Sequence, residues 1–159
     1  MYKVLVLMST YNGEEKIRKQ VVSIFNQKDV DAYIYIRDDG SNPETILILK
    51  ELAKEYCGRL YVSYADNIGW KQSFLELVYT AEATYDYYAF SDQDDIWFDD
   101  KIITCIHIAE QAPFAGPKLV HCNAISVTPD LQQRSEQEIR TAEPPSFEAA
   151  VATEYFQGC

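Results

Sequence analysis

The feature that most constrains the fold of this chain is a recurring order, an apolar run followed by a segment with helical spacing. The predicted strands are residues 3–8, 32–37, 60–64 and 85–90. The predicted helices are residues 14–27, 44–56, 72–83 and 98–111. Strands that alternate with helices favour a parallel sheet with right-handed crossovers. The sequence therefore predicts an α/β domain with a mainly parallel central sheet.

The ends of this pattern are less regular than its middle. Glu14 begins the first predicted helix and Lys19 follows within it, an order that suits the helix dipole. Past residue 111, residues 119–127 predict a fifth strand. Residues 128–146 are polar and contain three prolines, which predicts a loop, and residues 147–151 predict a short helix.

Charge and cysteine usage narrow the class of protein. The chain has 159 residues, enough for one domain with a sizeable core, and a formal net charge of -11. That charge argues against nucleic-acid binding, which needs a basic surface, and against direct docking on anionic lipid. The cysteines are far apart and the apolar start of the chain is too short for a signal peptide. We therefore expect a cytoplasmic protein with reduced cysteines.

An acidic cluster follows the fourth predicted strand, in the order Ser-Asp-Gln-Asp-Asp-Ile-Trp over residues 91–97. If the strand continued, Asp92 and Asp94 would point to the same side and Asp95 away from them. Two carboxylates about 4 Å apart repel by roughly 4 kcal/mol at an effective dielectric constant of 20. A hard cation such as Mg²⁺ or Mn²⁺ would relieve that repulsion. A solvated acidic turn, or a carboxylate that caps the next helix, fits the spacing equally well.

Polar loops follow each of the other predicted strands as well. In a parallel sheet the carboxyl ends of the strands lie at one edge, where ligands bind. Asp39 could accept the N–H of a uracil or thymine base, and Tyr11 could stack on that base. Asp39 before Gly40 is also common turn chemistry, and Tyr11 could simply cover the sheet edge. Trp70 and Trp97 are expected to be packing residues.

Four motifs at predicted strand ends occur in a specific order. They are Ser9-Thr10-Tyr11-Asn12, Asp38-Asp39-Gly40-Ser41, Asn67-x-Gly69 and the acidic cluster at residues 91–97. This ordered set resembles glycosyltransferase family 2, whose GT-A fold is a Rossmann-like sandwich that binds nucleotide-sugars. The acidic cluster, followed by Asp100-Lys101-Ile102, resembles the bacterial rhamnosyltransferase-like branch of that family.

The resemblance implies roles for individual residues. The implied nucleotide-binding residues are Thr10, Tyr11, Asp39, Lys71 and Asp92. The implied metal ligands for Mg²⁺ or Mn²⁺ are Asp92 and Asp94, the outer positions of an Asp-x-Asp motif. Lys71 would lie near the nucleotide. In the family a catalytic base follows the type of segment that ends this chain, so we expect the base beyond Cys159 and name no catalytic residue.

The resemblance also implies a reaction, an inverting transfer of a sugar from a UDP- or dTDP-sugar to a saccharide or lipid-linked acceptor in cell-surface polysaccharide synthesis. Residues 1–127 would bind the nucleotide-sugar. Residues 128–159 would begin the acceptor side of the same domain, which indicates a truncated chain. We expect peripheral association at most, at the inner face of the plasma membrane, and apolar surface that could support a homodimer.

Other classes of protein are also considered. Because the chain lacks a recognisable base, a non-catalytic nucleotide-sugar-binding module is the alternative. A dinucleotide-dependent oxidoreductase is disfavoured because Gly-x-Gly-x-x-Gly is absent. A phospho-receiver domain would lack its usual acidic pair after the first strand.

Overall fold

Strands and helices alternate along the chain. The computed structural model describes residues 1–122, 125–128 and 134–136. In chain order the first elements are β1 (Tyr2–Thr10), α1 (Ile17–Phe25), β2 (Val30–Asp39), α2 (Pro43–Glu55), β3 (Leu60–Ala65), α3 (Trp70–Thr80), β4 (Tyr87–Ser91) and α4 (Lys101–Gln111). They are followed by two short strands, β5 (Ile125–Val127) and β6 (Arg134–Glu136).

The main sheet has the order β3-β2-β1-β4, and every neighbouring pair in it is parallel. This confirms the predicted α/β class with a mainly parallel central sheet. The register places Thr10 beside Asp38 and Met8 beside Ser91. The carboxyl ends of β1, β2 and β4 therefore lie at one edge of the sheet, as the sequence predicts.

The continuous apolar run of β1 is explained by burial on both faces of the sheet. Val4, Val6 and Met8 pack in a cluster with residues of α1, α2 and α4. Leu5 and Leu7 pack with Leu77 of α3. Burying each such side chain contributes about 1.5–3 kcal/mol, so this central strand anchors the edge where the polar loops emerge.

The first helix begins later than predicted. α1 starts at Ile17 and has no acidic residue in its first turn, so the proposed dipole interaction of Glu14 is wrong. The Glu14 carboxylate instead accepts hydrogen bonds from Thr45 Oγ1 (2.6 Å) and Asn42 Nδ2 (3.2 Å). The bond from Thr45 lowers the pKa of Glu14. Glu14 thus stabilises the start of α2. Asn42 caps this helix by accepting a hydrogen bond from the Thr45 N–H (2.8 Å).

The region after α4 also differs from the prediction. Of the predicted strand at residues 119–127, residues 119–122 are not in a strand, and β5 covers only Ile125–Val127. β5 pairs antiparallel with β6, which lies inside the predicted loop. Short alternating segments suffice for such a two-stranded pairing. The predicted helix at residues 147–151 lies outside the described residues.

By their contacts the described residues form two compact units, with the boundary between His107 and Ile108. The first unit contains the parallel sheet, and the second contains the β5–β6 pair. Within the described part of the chain, no helix has the length and apolar character needed to cross a membrane. The predicted division at residue 127 stays a prediction.

Candidate functional site

A cleft opens at the carboxyl edge of the parallel sheet. It is bordered by the end of β1, the beginning of α3 and the loop after β4. The lining residues are Ser9, Tyr11, Trp70, Phe74, Asp92, Gln93 and Asp94. Aromatic rings and carboxylates therefore border the same space, a combination that can hold a ligand with both a flat ring and a phosphate-bound cation.

The carboxylates of the cleft belong to a loop and not to a strand. β4 ends at Ser91, so strand periodicity does not explain the directions of Asp92 and Asp94, and that part of the prediction is wrong. The chain leaves the sheet there because the pairing of β4 with β1 ends at Ser91 and Met8. Both Asp92 and Asp94 nevertheless line the cleft, and Asp95 is not among its described lining residues.

Buried polar side chains of α1 and of the residues just after it hold this acidic loop in place. A hydrogen bond of 2.5 Å links the Gln20 side-chain amide and Ser91 Oγ. The Trp97 N–H donates to Ser23 Oγ (3.1 Å). Gln27 donates to the Phe98 carbonyl (2.6 Å) and accepts from the Ile102 N–H (2.9 Å). The loop is therefore fixed at both ends by α1 and the residues that follow it.

The sequence does contain a signal for these contacts, because polar residues recur at helical spacing on an otherwise apolar helix face. Gln20, Ser23 and Gln27 lie three and four positions apart, and all three are buried. The sequence reading used the apolar residues of this helix and missed the polar ones. Buried polar groups of this kind need partners, and the acidic loop supplies them.

Gln93 ties the acidic loop to the end of β1. Its Oε1 accepts hydrogen bonds from the Thr10 hydroxyl and from the Tyr11 N–H (3.0 Å), and its Nε2 donates to the Tyr11 carbonyl (3.1 Å). Thr10 is 1% exposed and lies behind the cleft wall. Tyr11 is 50% exposed and lines the cleft, so its ring remains available to a ligand.

Asp39 is at the centre of a buried network. It is 2% exposed. Its Oδ1 accepts from Arg37 and from the Ile68 N–H (2.9 Å), and its Oδ2 accepts from the Gly69 N–H (2.9 Å). Burial by itself would raise the pKa of Asp39, but these hydrogen bonds outweigh it and hold the pKa below its ordinary value. The carboxylate therefore stays ionised.

The same network reaches the cleft through Ser73. Arg37 donates to Ser73 Oγ (3.2 Å), and the Ser9 hydroxyl, which lines the cleft, donates to Ser73 Oγ (2.6 Å). Arg37 also donates to the Asp66 carbonyl (3.1 Å). Asp39 is not itself among the described lining residues. Of the about four acceptor positions of a carboxylate, the described partners of Asp39 use three.

The acidic loop has an excess of negative charge. Partial burial raises the pKa of Asp92, and the charge of Asp94 raises it further against the opposing effect of Lys101. Burial, followed by the charge of Asp92, also raises the pKa of Asp95. Lys16 Nζ lies 3.1 Å from Asp94 Oδ2, an exposed pair that is only weakly stabilising. Such a loop would gain from a bound cation.

Asp92 and Asp94 suit Mg²⁺ or Mn²⁺, because carboxylate oxygens are the ligands these ions prefer. Within residues 1–122, 125–128 and 134–136 there is no group of three or more His, Cys, Asp or Glu that could hold a metal ion. A metal here would therefore take further ligands from a phosphate-bearing ligand and from water. The side chains fit a shared site of that kind.

One of the two tryptophans differs from its expected position. Trp70 is 60% exposed and lines the cleft, so its expected packing role is wrong, whereas Trp97 is buried in the core as expected. Trp70 is exposed because α3 begins two residues earlier than predicted and starts with this side chain. Lys71 is exposed beside it, with Nζ 5.1 Å from the centre of the Trp70 ring, and is not among the described lining residues.

The structure thus brings Tyr11, Asp92 and Asp94 to one cleft. Thr10 and Asp39 are buried next to it, and Lys71 is exposed beside Trp70. The residues that sequence reasoning missed are Ser9, Trp70, Phe74 and Gln93. The ligand-contact roles assigned from sequence stay predictions for Thr10, Tyr11, Asp39, Lys71, Asp92 and Asp94.

Comparison with known proteins decides the family. Residues 5–155 match the family model described as glycosyl transferase family 2. The chain belongs to this family. It is similar to the dTDP-rhamnosyl transferase RfbG of Shigella flexneri, with 42% identity over 102 residues, which cover 62% of this chain and 35% of that protein. An uncharacterised glycosyltransferase of Nostoc sp. is 25% identical over 114 residues, 72% of this chain and 35% of that protein.

These comparisons confirm the predicted family and its rhamnosyltransferase-like branch. The chain spans about a third of the length of the relatives it matches. Among solved structures, it is similar to residues 1–349 of S. aureus TarS in complex with UDP, with a TM-score of 0.57 and 22% identity. That match covers 69% of this chain and 32% of the TarS chain. The complex of TarS with UDP-GlcNAc gives a TM-score of 0.58. The GT-A fold is thereby confirmed.

Proposed function

We propose that this family 2 chain carries the donor-binding part of an inverting glycosyltransferase. The enzyme would move a sugar from UDP or dTDP to a saccharide or lipid-linked acceptor in cell-surface polysaccharide synthesis. The observation that carries the proposal is the cleft itself, where Tyr11 and Trp70 share one space with Asp92 and Asp94. The relative described as a dTDP-rhamnosyl transferase and the UDP complexes of TarS support a pyrimidine nucleotide.

The proposed binding mode begins with the base. Tyr11 and Trp70 offer flat, exposed rings for stacking. Asp39 would use a further acceptor position for the N–H of uracil or thymine, and Thr10 would support the same region. Because Asp39 is buried, the base must enter beside the segment that contributes the Ile68 and Gly69 N–H groups.

The diphosphate end would meet the acidic loop. Asp92 would accept a hydrogen bond from a ribose hydroxyl, and Asp92 and Asp94 would hold Mg²⁺ or Mn²⁺. When bound, the metal ion would neutralise charge on the departing nucleoside diphosphate. Lys71 would approach the phosphates as a point charge. An acceptor hydroxyl would attack the anomeric carbon from the opposite face, and the base that removes its proton is expected beyond Cys159.

For the whole protein, we also propose a domain division, a location in the cell and an association state. The nucleotide-sugar-binding region would comprise residues 1–127, and residues 128–159 would begin the acceptor side. The reaction would take place in the cytoplasm, at the inner face of the plasma membrane, by peripheral association at most. Nucleic acid is not expected as a partner because of the charge of -11. Self-association as a homodimer is part of the proposal.

Titration calorimetry on the 159-residue chain tests the proposal. UDP or dTDP should bind in the presence of Mn²⁺, and ADP and GDP should bind more weakly. Absence of binding by all of them would overturn the proposed function. The alternative, a non-catalytic nucleotide-sugar-binding module, predicts the same binding. Incubation of the chain with UDP- and dTDP-sugars and saccharide acceptors addresses the alternative, because sugar transfer would reject the module and binding without transfer would support it.

A further inference from the structure

The side chain of Gln93 makes contacts that its position in the acidic motif does not predict. It lies between Asp92 and Asp94, yet its amide group pairs with the main chain of Tyr11. Oε1 accepts from the Tyr11 N–H (3.0 Å), and Nε2 donates to the Tyr11 carbonyl (3.1 Å). The Thr10 hydroxyl donates to the same Oε1. We call these contacts of Gln93 with Thr10 and Tyr11 the amide clamp.

Gly13 is the residue that leaves room for the clamp. A Cβ atom at this position would collide with Gln93 Oε1 and would lie 2.9 Å from Thr10 Oγ1 and 3.0 Å from Gln93 Cδ. Real Cβ atoms essentially never come so close to other heavy atoms. The position of glycine in the segment Tyr11-Asn12-Gly13 thus serves the close approach of the Gln93 amide.

The clamp joins two functionally different loops. Tyr11 is the half-exposed ring at the end of β1, and Asp92 and Asp94 are the carboxylates after β4. A pairing to both the N–H and the carbonyl of Tyr11 fixes the position and orientation of its backbone. The backbone that carries the Tyr11 ring is thereby held against the loop that carries the carboxylates.

We propose that Gln93 is a positioning residue that fixes Tyr11 for the nucleoside part of the donor. This inference rests on the proposed function, since it assigns Tyr11 to the base. It gives the middle position of the acidic motif a role at the base end of the ligand. The flanking carboxylates would hold the metal ion at the diphosphate end, and Asp92 would also contact the ribose. A ligand that lacks phosphates therefore distinguishes this role from a role in shaping the metal site.

The test uses Gln93→Met, which keeps the length of the side chain and removes its hydrogen bonds. Gln111→Met, at the exposed end of α4, is the matched control. Amide hydrogen exchange at Tyr11 should become faster in Gln93→Met and stay unchanged in the control. The affinity for uridine and thymidine, measured by NMR titration, should fall by about tenfold, as expected for a lost set of backbone hydrogen bonds.

Gly13→Ala should disrupt the amide clamp without changing Gln93 itself, because the added methyl group would collide with the Gln93 side chain. The atoms that the new methyl group displaces are mainly the end of the flexible Gln93 side chain, so the fold should persist. This variant should lose nucleoside affinity to the same extent as Gln93→Met. The double variant should lose no more than either one, because both remove the same contact. Additive losses would overturn the proposal.

The outcomes separate this proposal from the function on which it rests. If the wild-type chain binds nucleosides and Gln93→Met binds them equally well, Gln93 is not a positioning residue and the proposed function stands. If Gln93→Met loses only metal-dependent binding of UDP, the side chain serves the acidic loop and the proposal is overturned. If the wild-type chain binds neither nucleosides nor UDP, the proposed function fails and the role of Gln93 fails with it.

Discussion

Two carboxylate sites lie at neighbouring strand ends of this protein and differ in almost every physical property. Asp39, at the end of β2, is buried and accepts hydrogen bonds from Arg37 and from two backbone N–H groups. Asp92, after β4, borders the open cleft and shares its loop with other carboxylates. The pKa of Asp39 lies below its ordinary value, and the pKa of Asp92 lies above it.

The difference separates a carboxylate whose charge is balanced within the protein from carboxylates whose charge a bound cation could balance. The Asp39 network joins β2, α3 and the segment before α3, so its charge is balanced within the protein. The acidic loop is held through Ser91, Gln93 and Trp97, while Asp92 and Asp94 face the cleft. A carboxylate whose charge is balanced within the protein supports the fold, and a pair of carboxylates with excess negative charge suits a cation.

The largest effect is expected from Asp39→Ala. The substitution leaves the Arg37 guanidinium buried without its carboxylate, which costs about 3–5 kcal/mol in comparable cases. Urea denaturation at neutral pH measures the free energy of unfolding. Asp66→Ala is the control, because Asp66 is exposed and contributes its backbone carbonyl to Arg37. A loss below about 1 kcal/mol, the level of an exposed pair, would mean that the buried network is not a structural support.

The pH dependence of the unfolding free energy tests whether Asp39 is ionised in the folded protein. A depressed carboxyl pKa stabilises the fold above the unfolded-state pKa, about 4 for Asp, and that contribution is lost as pH falls through the folded-state pKa. The gap in unfolding free energy between the wild type and Asp39→Asn should therefore be widest at neutral pH and narrow below about pH 4. Denaturation curves at several pH values measure it. A gap that is constant with pH would exclude an ionised Asp39.

The acidic loop should respond in the opposite way, with little change in stability and a large change in binding. Asp94→Asn removes the charge with nearly the same shape. Metal-dependent affinity for UDP should fall by about 10- to 100-fold, the range seen when groups that support a metal site are removed. Calorimetry with and without Mn²⁺ measures the difference. Asp86→Asn, just before β4 at the other end of the strand, is the control, and an equal loss there would contradict the assignment.

Much of this fold could be predicted from sequence because its signals are local. The apolar run of β1 and the helical spacing in α2 specify their elements, and parallel topology then brings the loops to one edge. The convergence of Tyr11, Asp92 and Asp94 follows from that topology alone. Local patterns also give the wrong boundary for α1, because Glu14 has its partners in α2, at Thr45 and Asn42.

The Asp39 network and the burial of the tryptophans could not be predicted, because both depend on contacts between segments that are distant in the sequence. Arg37 and Asp39 look like ordinary turn chemistry until Ser73 and the Gly69 N–H are brought to them from 30 or more positions away. Both tryptophans are expected from sequence to pack, yet only Trp97 reaches the core, because Ser23 and its neighbours on α1 hold that segment. The helical spacing of the polar residues shows that they share a face of the helix, but it does not show which segment they contact.

Trp70 offers a smaller test on the aromatic side of the cleft. Trp70→Ala should reduce nucleoside affinity by about 1 kcal/mol, near the lower end for stacking on a base, and leave the fold intact because the ring is exposed. Leu75→Ala, an exposed apolar residue of the same helix, is the control. Titration of tryptophan fluorescence is unsuitable for this variant, so NMR titration is the measurement. Unchanged affinity would remove Trp70 from the site.

The smallest effect on stability is expected from Lys16→Met, and its sign is informative. The pair with Asp94 is exposed, so its loss should change the unfolding free energy by less than about 1 kcal/mol. Lys16 competes with a cation for the Asp94 carboxylate, and its removal should tighten Mn²⁺ binding by about twofold to threefold, the factor that a few tenths of a kcal/mol imply. Lys19→Met, at another exposed lysine of α1, is the control. If Mn²⁺ binding is unchanged but UDP affinity falls, Lys16 instead contacts the diphosphate, and the charge deficit of the acidic loop is then met by the protein as well as by the metal ion.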